Sequence, residues 1–131
     1  MNEVTISPAL SVVVPLYNEE ANLPILQEEL RVALSGLDYE IIFVDDGSVD
    51  RTATRVEAAP NIRLIRFEKN SGQSAAIYAG LTAARGAIVV IIDGDLQNDP
   101  ADIPKLLAEL HAVQILSAAI ASRDGTPWRS G

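Results

Sequence analysis

Four short apolar runs, each followed by a helical pattern or a turn into one, restrict the folds open to this chain more than any other feature. Leu10 to Val14 (LSVVV) is β-branched and apolar, and Pro15 is placed to end it. Tyr39 to Val44 (YEIIFV), Asn61 to Phe67 (NIRLIRF) and Ala87 to Ile92 (AIVVII) are runs of the same kind. The first and fourth are apolar at nearly every position, the pattern of strands buried on both faces. The third sets Ile62, Leu64 and Ile65 against Arg63 and Arg66, which predicts a place nearer a sheet edge. Val113 to Leu116 starts a fifth run. Between them, Leu23, Leu26, Leu30, Ala33 and Leu37 recur at helical spacing behind Asn22 and Pro24. Asp50 is placed to cap a helix over Arg51 to Ala59, which Pro60 would end. Ser74 to Arg85 carries Ala76, Gly80 and Ala83 on one side, small residues that let a helix lie close on a sheet, and Gly86 is placed as its C-terminal stop. Ile103, Leu106, Leu107 and Leu110 form a further apolar stripe after Pro100. Strand–helix alternation of this kind predicts an α/β fold with a doubly wound parallel sheet.

Composition narrows the function. With 131 residues the chain holds one domain, 48% hydrophobic and 21% charged, and so globular. Ten basic against 18 acidic residues give −8, leaving no basic face to neutralise nucleic-acid phosphates. Cysteine is absent, which excludes disulfides, thiolate metal sites and cysteine nucleophiles. The N-terminus does not read as a signal peptide, and Ala87 to Ile92 is too short an apolar stretch to span a bilayer. A soluble, cytoplasmic, acidic domain is expected.

Ligand sites of such sheets lie at the carboxyl ends of the strands, and there the polar clusters fall. Pro15-Leu16-Tyr17-Asn18-Glu19-Glu20 follows the first run, Asp45-Asp46-Gly47-Ser48 the second, Glu68-Lys69-Asn70-Ser71-Gly72-Gln73 the third, and Asp93-Gly94-Asp95-Leu96-Gln97-Asn98-Asp99 the fourth. In an extended segment the spacing of Asp93 and Asp95 aims both carboxylates to one side, with Gly94 allowing close approach. Such a pair with open positions suits Mg²⁺ or Mn²⁺ carrying diphosphate oxygens, and Gln97 continues the register. A bare Asp-x-Asp is more often a polar turn, but here it directly follows an apolar strand. Adjacent Asp45 and Asp46 repel unless a donor, cation or ligand amide compensates, and either could accept from a nucleobase N–H or a ribose hydroxyl. As plain structure, Asp46-Gly47-Ser48 is a good turn. Tyr17 could stack on a base and Glu19 accept a hydrogen bond. Lys69 to Gln73 offers a phosphate or sugar cradle before a helix N-terminus. Asp99 and Asp102 read as helix-start residues, and His111, Arg85 and Trp128 as structural.

Taken in order, VVVPLYNEE, IIFVDDGSVDRT, NSGQSAAIYAGL and VVIIDGDLQNDP resemble the family-2 glycosyltransferases of the GT-A fold. Asp95-Leu96-Gln97-Asn98-Asp99-Pro100 is most similar to the mannosyl- and glucosyltransferase branch that acts on polyprenyl or dolichyl phosphate. The resemblance implies a Rossmann-like, mostly parallel sheet with helices on both faces, a UDP- or GDP-linked sugar donor, Mg²⁺ or Mn²⁺, and inversion at the anomeric carbon. It places Pro15, Tyr17, Glu19, Asp45 and Asp46 at the nucleotide, Asp93 at the ribose and diphosphate, and Asp93, Asp95 and Gln97 at the metal. Asp95 and Arg123 become the candidate catalytic residues. The acceptor implied is a polyprenyl phosphate, already anionic and in little need of a general base, which puts the chain at the cytoplasmic face of a membrane by peripheral association.

The resemblance thins toward the C-terminus. Ile120 stands where relatives place an acceptor-binding arginine, leaving Arg123 and Arg129. The chain is shorter than the catalytic domain it resembles and stops soon after the Asp-x-Asp region, so exposed apolar surface and self-association are expected. A non-catalytic nucleotide-sugar-binding module is therefore the competing reading. A phospho-receiver domain would carry its acidic pair after the first strand, and a dinucleotide dehydrogenase would show Gly-x-Gly-x-x-Gly there; neither pattern is present.

Overall fold

The computed structural model describes residues 8–110. Strand β1 (Leu10–Leu16) leads to helix α1 (Leu23–Ala33), β2 (Tyr39–Asp45), a single 3₁₀ turn at Ala53–Arg55, β3 (Ile62–Arg66), helix α2 (Gln73–Ala83) and β4 (Ile88–Ile91). A further helix, α3, covers residues 102–110. The sheet order is β3-β2-β1-β4 with every pairing parallel, as the alternating pattern predicts. The expected fifth strand at Val113–Leu116 lies outside the described residues, as do His111, Ile120, Arg123, Trp128 and Arg129.

All seven residues of β1 are buried. Its even positions, Leu10, Val12, Val14 and Leu16, pack with Leu23, Leu26, Leu30 and Leu34 around α1, and Ile103 of α3 joins them. Its odd side puts Val13 with Ile42, Val44 and Ala76 beneath α2. Helices thus cover both faces, α1 and α3 one and α2 the other. The small-residue stripe of α2 acts as its spacing implies, since a Cβ at Gly80 would run into Val13. Leu34, not Leu37, completes the buried stripe of α1.

Pro15 does not end β1, which continues to Leu16 in register with Asp45. The Leu16 carbonyl accepts from Asp46 (2.8 Å) and the Val13 carbonyl from Ile92 (3.0 Å), so odd positions of β1 face β4. The pairing with β4 stops at Val13 and Ile91, and the N–H that proline lacks falls just beyond it.

Three other expectations are corrected. β4 is an edge strand among the described residues, with Val89 and Ile91 about two-fifths exposed on the α2 side, although its sequence reads as buried on both faces. No helix fills Arg51–Ala59, because Gln27 of α1 supplies that segment with the partners a helix would have provided. Gln27 donates from Nε2 to the Arg55 carbonyl (2.9 Å) and accepts from the Glu57 N–H through Oε1 (2.7 Å). Val56 is accordingly extended. Gly86 is not a left-handed helix stop, since α2 already ends in an extended Ala84. Its lack of a side chain serves a close approach to β1, where a Cβ would lie 2.6 Å from the Ser11 nitrogen.

At the amino end of the sheet a buried carboxylate ties these elements together. Glu40 Oε2 accepts from the Ser11 hydroxyl (2.5 Å) and the Arg85 N–H (2.7 Å), and Oε1 accepts from Arg63 Nη2 (2.7 Å). The same Arg63 nitrogen donates to the Ala83 carbonyl (2.6 Å). Burial pushes the Glu40 carboxyl up, but the bonds from Ser11, Arg85 and Arg63 outweigh it and hold the group below the usual 4.5. A depressed folded-state value contributes stability that is present above the ordinary carboxyl pKa and lost as pH falls through the depressed one.

Two outcomes follow from this packing. Urea denaturation should show Gly80→Ala destabilised by roughly 1–3 kcal/mol despite its better helix propensity, because the added methyl overpacks Val13; a gain in stability would refute the close contact. Acid titration below pH 4.5 should destabilise the wild type more steeply than Glu40→Gln, with the variant less stable at neutral pH by roughly 1–3 kcal/mol. Parallel curves would show that the carboxylate is not thermodynamically engaged.

Candidate functional site

Beyond the carboxyl ends of β1 and β4 the sheet opens into a cleft of about 570 Å³, lined by Pro15, Leu16, Tyr17, Glu19, Asp46, Asn70, Gly72, Gln73, Ala76, Asp93, Gly94, Asp95 and Gln97. β1, β2 and β3 advance in one direction across the sheet, whereas β4 lies on the opposite side of β1. The strand order thus reverses at β1, and the crevice lies beyond the carboxyl ends of β1 and β4 at that point.

The wall formed by Tyr17 and Glu19 begins where β1 ends. Tyr17 lines the cleft and is 45% exposed. The Glu19 carbonyl accepts from Asn22 and Leu23 (3.1 and 2.9 Å) and starts α1, while its Oε2 accepts from Asn22 Nδ2 (2.9 Å). Asn18 takes a left-handed conformation (φ 52°), a region asparagine tolerates better than most residues.

The opposite wall carries the acidic pair from β4. Asp93 and Asp95 both reach the cleft, but by a turn and not by extended chain. β4 stops at Ile91, residues 94 and 95 turn, and Leu96 sits at φ 65°. The turn is fixed by side chains: Asn98 Oδ1 accepts from the Asp93 N–H (3.0 Å) and Asp95 Oδ1 from the Gln97 N–H (3.2 Å). Asp93 Oδ1 accepts from Gln73 Nε2 (3.1 Å), joining this wall to the first residue of α2. Gly94 allows the close approach its sequence position suggests, since a Cβ would lie 2.6 Å from Leu16 Cδ2. Asp99 starts the following helix, accepting from the Ala101 N–H (3.0 Å). Among the described residues no three carboxylate or imidazole groups gather into a closed metal cage.

Asp45 and Asp46, adjacent in sequence, occupy different environments. Asp46 lines the cleft, yet its carboxylate is engaged by the loop before α2. Oδ1 accepts from the Ser71 N–H (2.6 Å), and Oδ2 from the Gly72 N–H (3.0 Å) and Asn70 Nδ2 (3.1 Å). The amides expected to cradle a phosphate there are thus held by a protein carboxylate. Asp45 is buried and does not line the cleft. Its Oδ1 accepts from the Ser48 N–H (3.1 Å) and hydroxyl, and Arg66 Nε stands 3.9 Å from Oδ2. Gly47 makes the pairing of the two loops feasible: it has φ 70°, and a Cβ would collide with the backbone of Lys69 and Asn70. Asn70 and Gln73 are the lining residues that sequence reasoning treated only as parts of a cradle; the signal available was a polar Asn-Ser-Gly-Gln loop facing Asp-Asp-Gly.

The family model for Glycosyl transferase family 2 matches residues 11–130. The chain belongs to glycosyl transferase family 2. Over 128 residues it is 39% identical to the undecaprenyl-phosphate 4-deoxy-4-formamido-L-arabinose transferase of Pseudomonas aeruginosa, an alignment spanning 92% of this chain and 38% of that protein. It is 40% identical over 116 residues to the dodecaprenyl-phosphate galacturonate synthase of Rhizobium johnstonii, covering 83% and 34%. Among solved structures, the glucosyl-3-phosphoglycerate synthase of Mycobacterium tuberculosis, in complex with Mn²⁺, UDP and glucosyl-3-phosphoglycerate, superposes with a TM-score of 0.66 at 32% identity, over 79% of this chain and 39% of that one. The chain thus spans little more than a third of the curated relatives it matches. Its fold is the mostly parallel α/β sheet of the GT-A glycosyltransferases.

The clamp on the loop before α2 can be tested directly. Asp46→Ala should raise hydrogen exchange at residues 70–73 by about tenfold or more, the loss of roughly 1–3 kcal/mol of local protection, while β1 amides stay protected. Unchanged exchange at Ser71 and Gly72 would show that the loop holds itself.

Proposed function

We propose that the cleft between Tyr17 and Asp95 binds a nucleotide-diphosphate sugar, and that the protein transfers the sugar to a polyprenyl phosphate with inversion. The observation that carries this reading is the meeting of an accessible aromatic wall with an acidic turn across one crevice at the strand ends. Tyr17 offers a stacking face to the base, with Pro15 and Glu19 beside it; Asp46 borders the same space through its loop contact. Asp45 lies beneath, where its buried carboxylate supports the wall. Asp93, held by Gln73, faces the ribose and diphosphate.

The donor set of Asp93, Asp95 and Gln97 fits a hard divalent cation. Asp95 is exposed, and each carboxylate uses only one oxygen in a protein hydrogen bond. Two carboxylates and an amide leave coordination positions for phosphate oxygens, as Mg²⁺ or Mn²⁺ prefers. When bound there, the cation would offset the charge that develops on the departing diphosphate. The chain's own residues bind and orient the donor. Tyr17 and Glu19 fix the base, and Asp93 and Asp95 would hold the cation that receives the diphosphate end. Arg123, outside the described residues, is assigned to the acceptor phosphate. An acceptor of this kind puts the reaction at a membrane surface, reached peripherally at the cytoplasmic face; among the described residues no helix is long and apolar enough to cross a bilayer.

Calorimetry with UDP and GDP, with and without Mn²⁺, tests the donor site. Metal-dependent binding is expected, with Asp95→Ala weakening it about tenfold or more, the loss of roughly 1.4 kcal/mol. Absence of binding at millimolar nucleotide, or an Asp95→Ala variant that binds unchanged, would overturn the site. Incubation with a labelled nucleotide sugar and vesicles holding a polyprenyl phosphate then separates the transferase from a binding module, which would hold donor and form no lipid-linked product.

A further inference from the structure

The Tyr17–Glu20 loop has no regular structure of its own, yet three consecutive N–H groups along it are satisfied by side chains of one neighbouring loop. Asn18 N–H donates to the Ser48 hydroxyl (2.8 Å), Glu19 N–H to Thr52 Oγ1 (2.9 Å) and Glu20 N–H to Asp50 Oδ2 (3.4 Å). Asn18 Oδ1 accepts in return from the Val49 N–H (3.0 Å).

Both hydroxyls are oriented from behind. Ser48 donates its proton to Asp45 Oδ1, and Thr52 donates its own to Asp50 Oδ1. A hydroxyl has one proton, so giving it to a carboxylate leaves its lone pairs to face the amide. Two parallel relays result, each running from carboxylate to hydroxyl to loop amide. A charged acceptor strengthens the hydroxyl as an acceptor in turn. Asp50 also accepts from the Thr52 N–H (3.0 Å), and these bonds outweigh its desolvation, holding its carboxyl below the ordinary range. Thr52 is fully buried, and neither it nor Ser48 lines the cleft.

We propose that Thr52, and with it Ser48, is a positioning residue for the donor nucleotide: it touches no ligand and acts by holding the Glu19 amide, and so the Tyr17–Glu19 wall, against the cleft. This rests on the donor-binding reading above. Without the Thr52 hydroxyl the Glu19 N–H has no partner, the loop gains conformations, and the wall is no longer presented in one geometry before binding.

Calorimetric titration of the full chain with UDP and GDP in the presence of Mn²⁺ tests it. Thr52→Val is expected to weaken binding of the nucleotide that the wild type takes by about tenfold, and Thr52→Ser to restore it to within about threefold. Wild-type affinity in Thr52→Val, or failure of Thr52→Ser to rescue, would each overturn the proposal. Should Thr52→Val lose the cooperative melt of the wild type, Ser48→Ala probes the parallel relay. An unchanged affinity there, or a loss that Ser48→Thr does not recover, overturns the proposal equally. A wild type that binds neither nucleotide would instead refute the donor site itself.

Discussion

Everything in this fold is arranged around β1, the strand that must satisfy neighbours on four sides. It pairs with β2 along its whole length and with β4 along its first four residues, and it is buried against helices above and below. β2 is likewise paired on both edges and buried on both faces, but β1 alone joins it to β4 at the edge of the cleft. Parallel pairing forces each connection to cross a face, and the reversal after β3 sends β4 to the far side of β1. The early end of the β1–β4 ladder follows from the same geometry. Where it stops, Pro15 requires no hydrogen-bond partner and the two chains part. The cleft is a product of the backbone before any side chain is considered.

The two ends of the sheet handle charge differently. At the amino end, Glu40 is surrounded by a hydroxyl, an amide and a guanidinium, and its charge is spent on holding β1, β3 and the end of α2 in place. At the carboxyl end the carboxylates are graded by engagement. Asp45 is buried, Asp46 holds three donors, Asp93 takes one side-chain amide, and Asp95 stands exposed with a single backbone contact. Among the carboxylates lining the cleft, from Asp46 to Asp93 and Asp95, negative charge without internal hydrogen-bond donors therefore increases toward solvent. A cation accompanied by anionic ligands suits such a gradient better than a free anion does.

Much of this was legible in the sequence, and the misses have physical causes. The strands, the small-residue face of α2 and the convergence of polar clusters follow from periodicity and from the rule that parallel sheets bind at their carboxyl ends. Arg51–Ala59 reads as a helix because nothing local forbids one; the competitor is Gln27, nearly thirty residues away. β4 reads as fully buried because an apolar run does not say how many neighbours it has. Asp93 and Asp95 reach the cleft as expected, but the turn that brings them there depends on Asn98 and a left-handed Leu96, which an extended reading does not contain. The unequal roles of Asp45 and Asp46 were not readable at all. They depend on which loop lies above each carboxylate, a matter of tertiary placement.

The packing at Gly47 has a consequence for how this site can drift in sequence. The backbone of Lys69 and Asn70 closes the space where any side chain would begin, and the left-handed φ adds a second penalty, so that position is shut to substitution by sterics alone. Its neighbours across the gap are not equally bound. Ser71 serves Asp46 through its main-chain N–H, so a side-chain change there leaves the contact standing, whereas Asn70 contributes its amide group and has no stand-in of the same length. Tolerance to mutation around the cleft is thus set residue by residue, by whether the backbone or the side chain makes the bond.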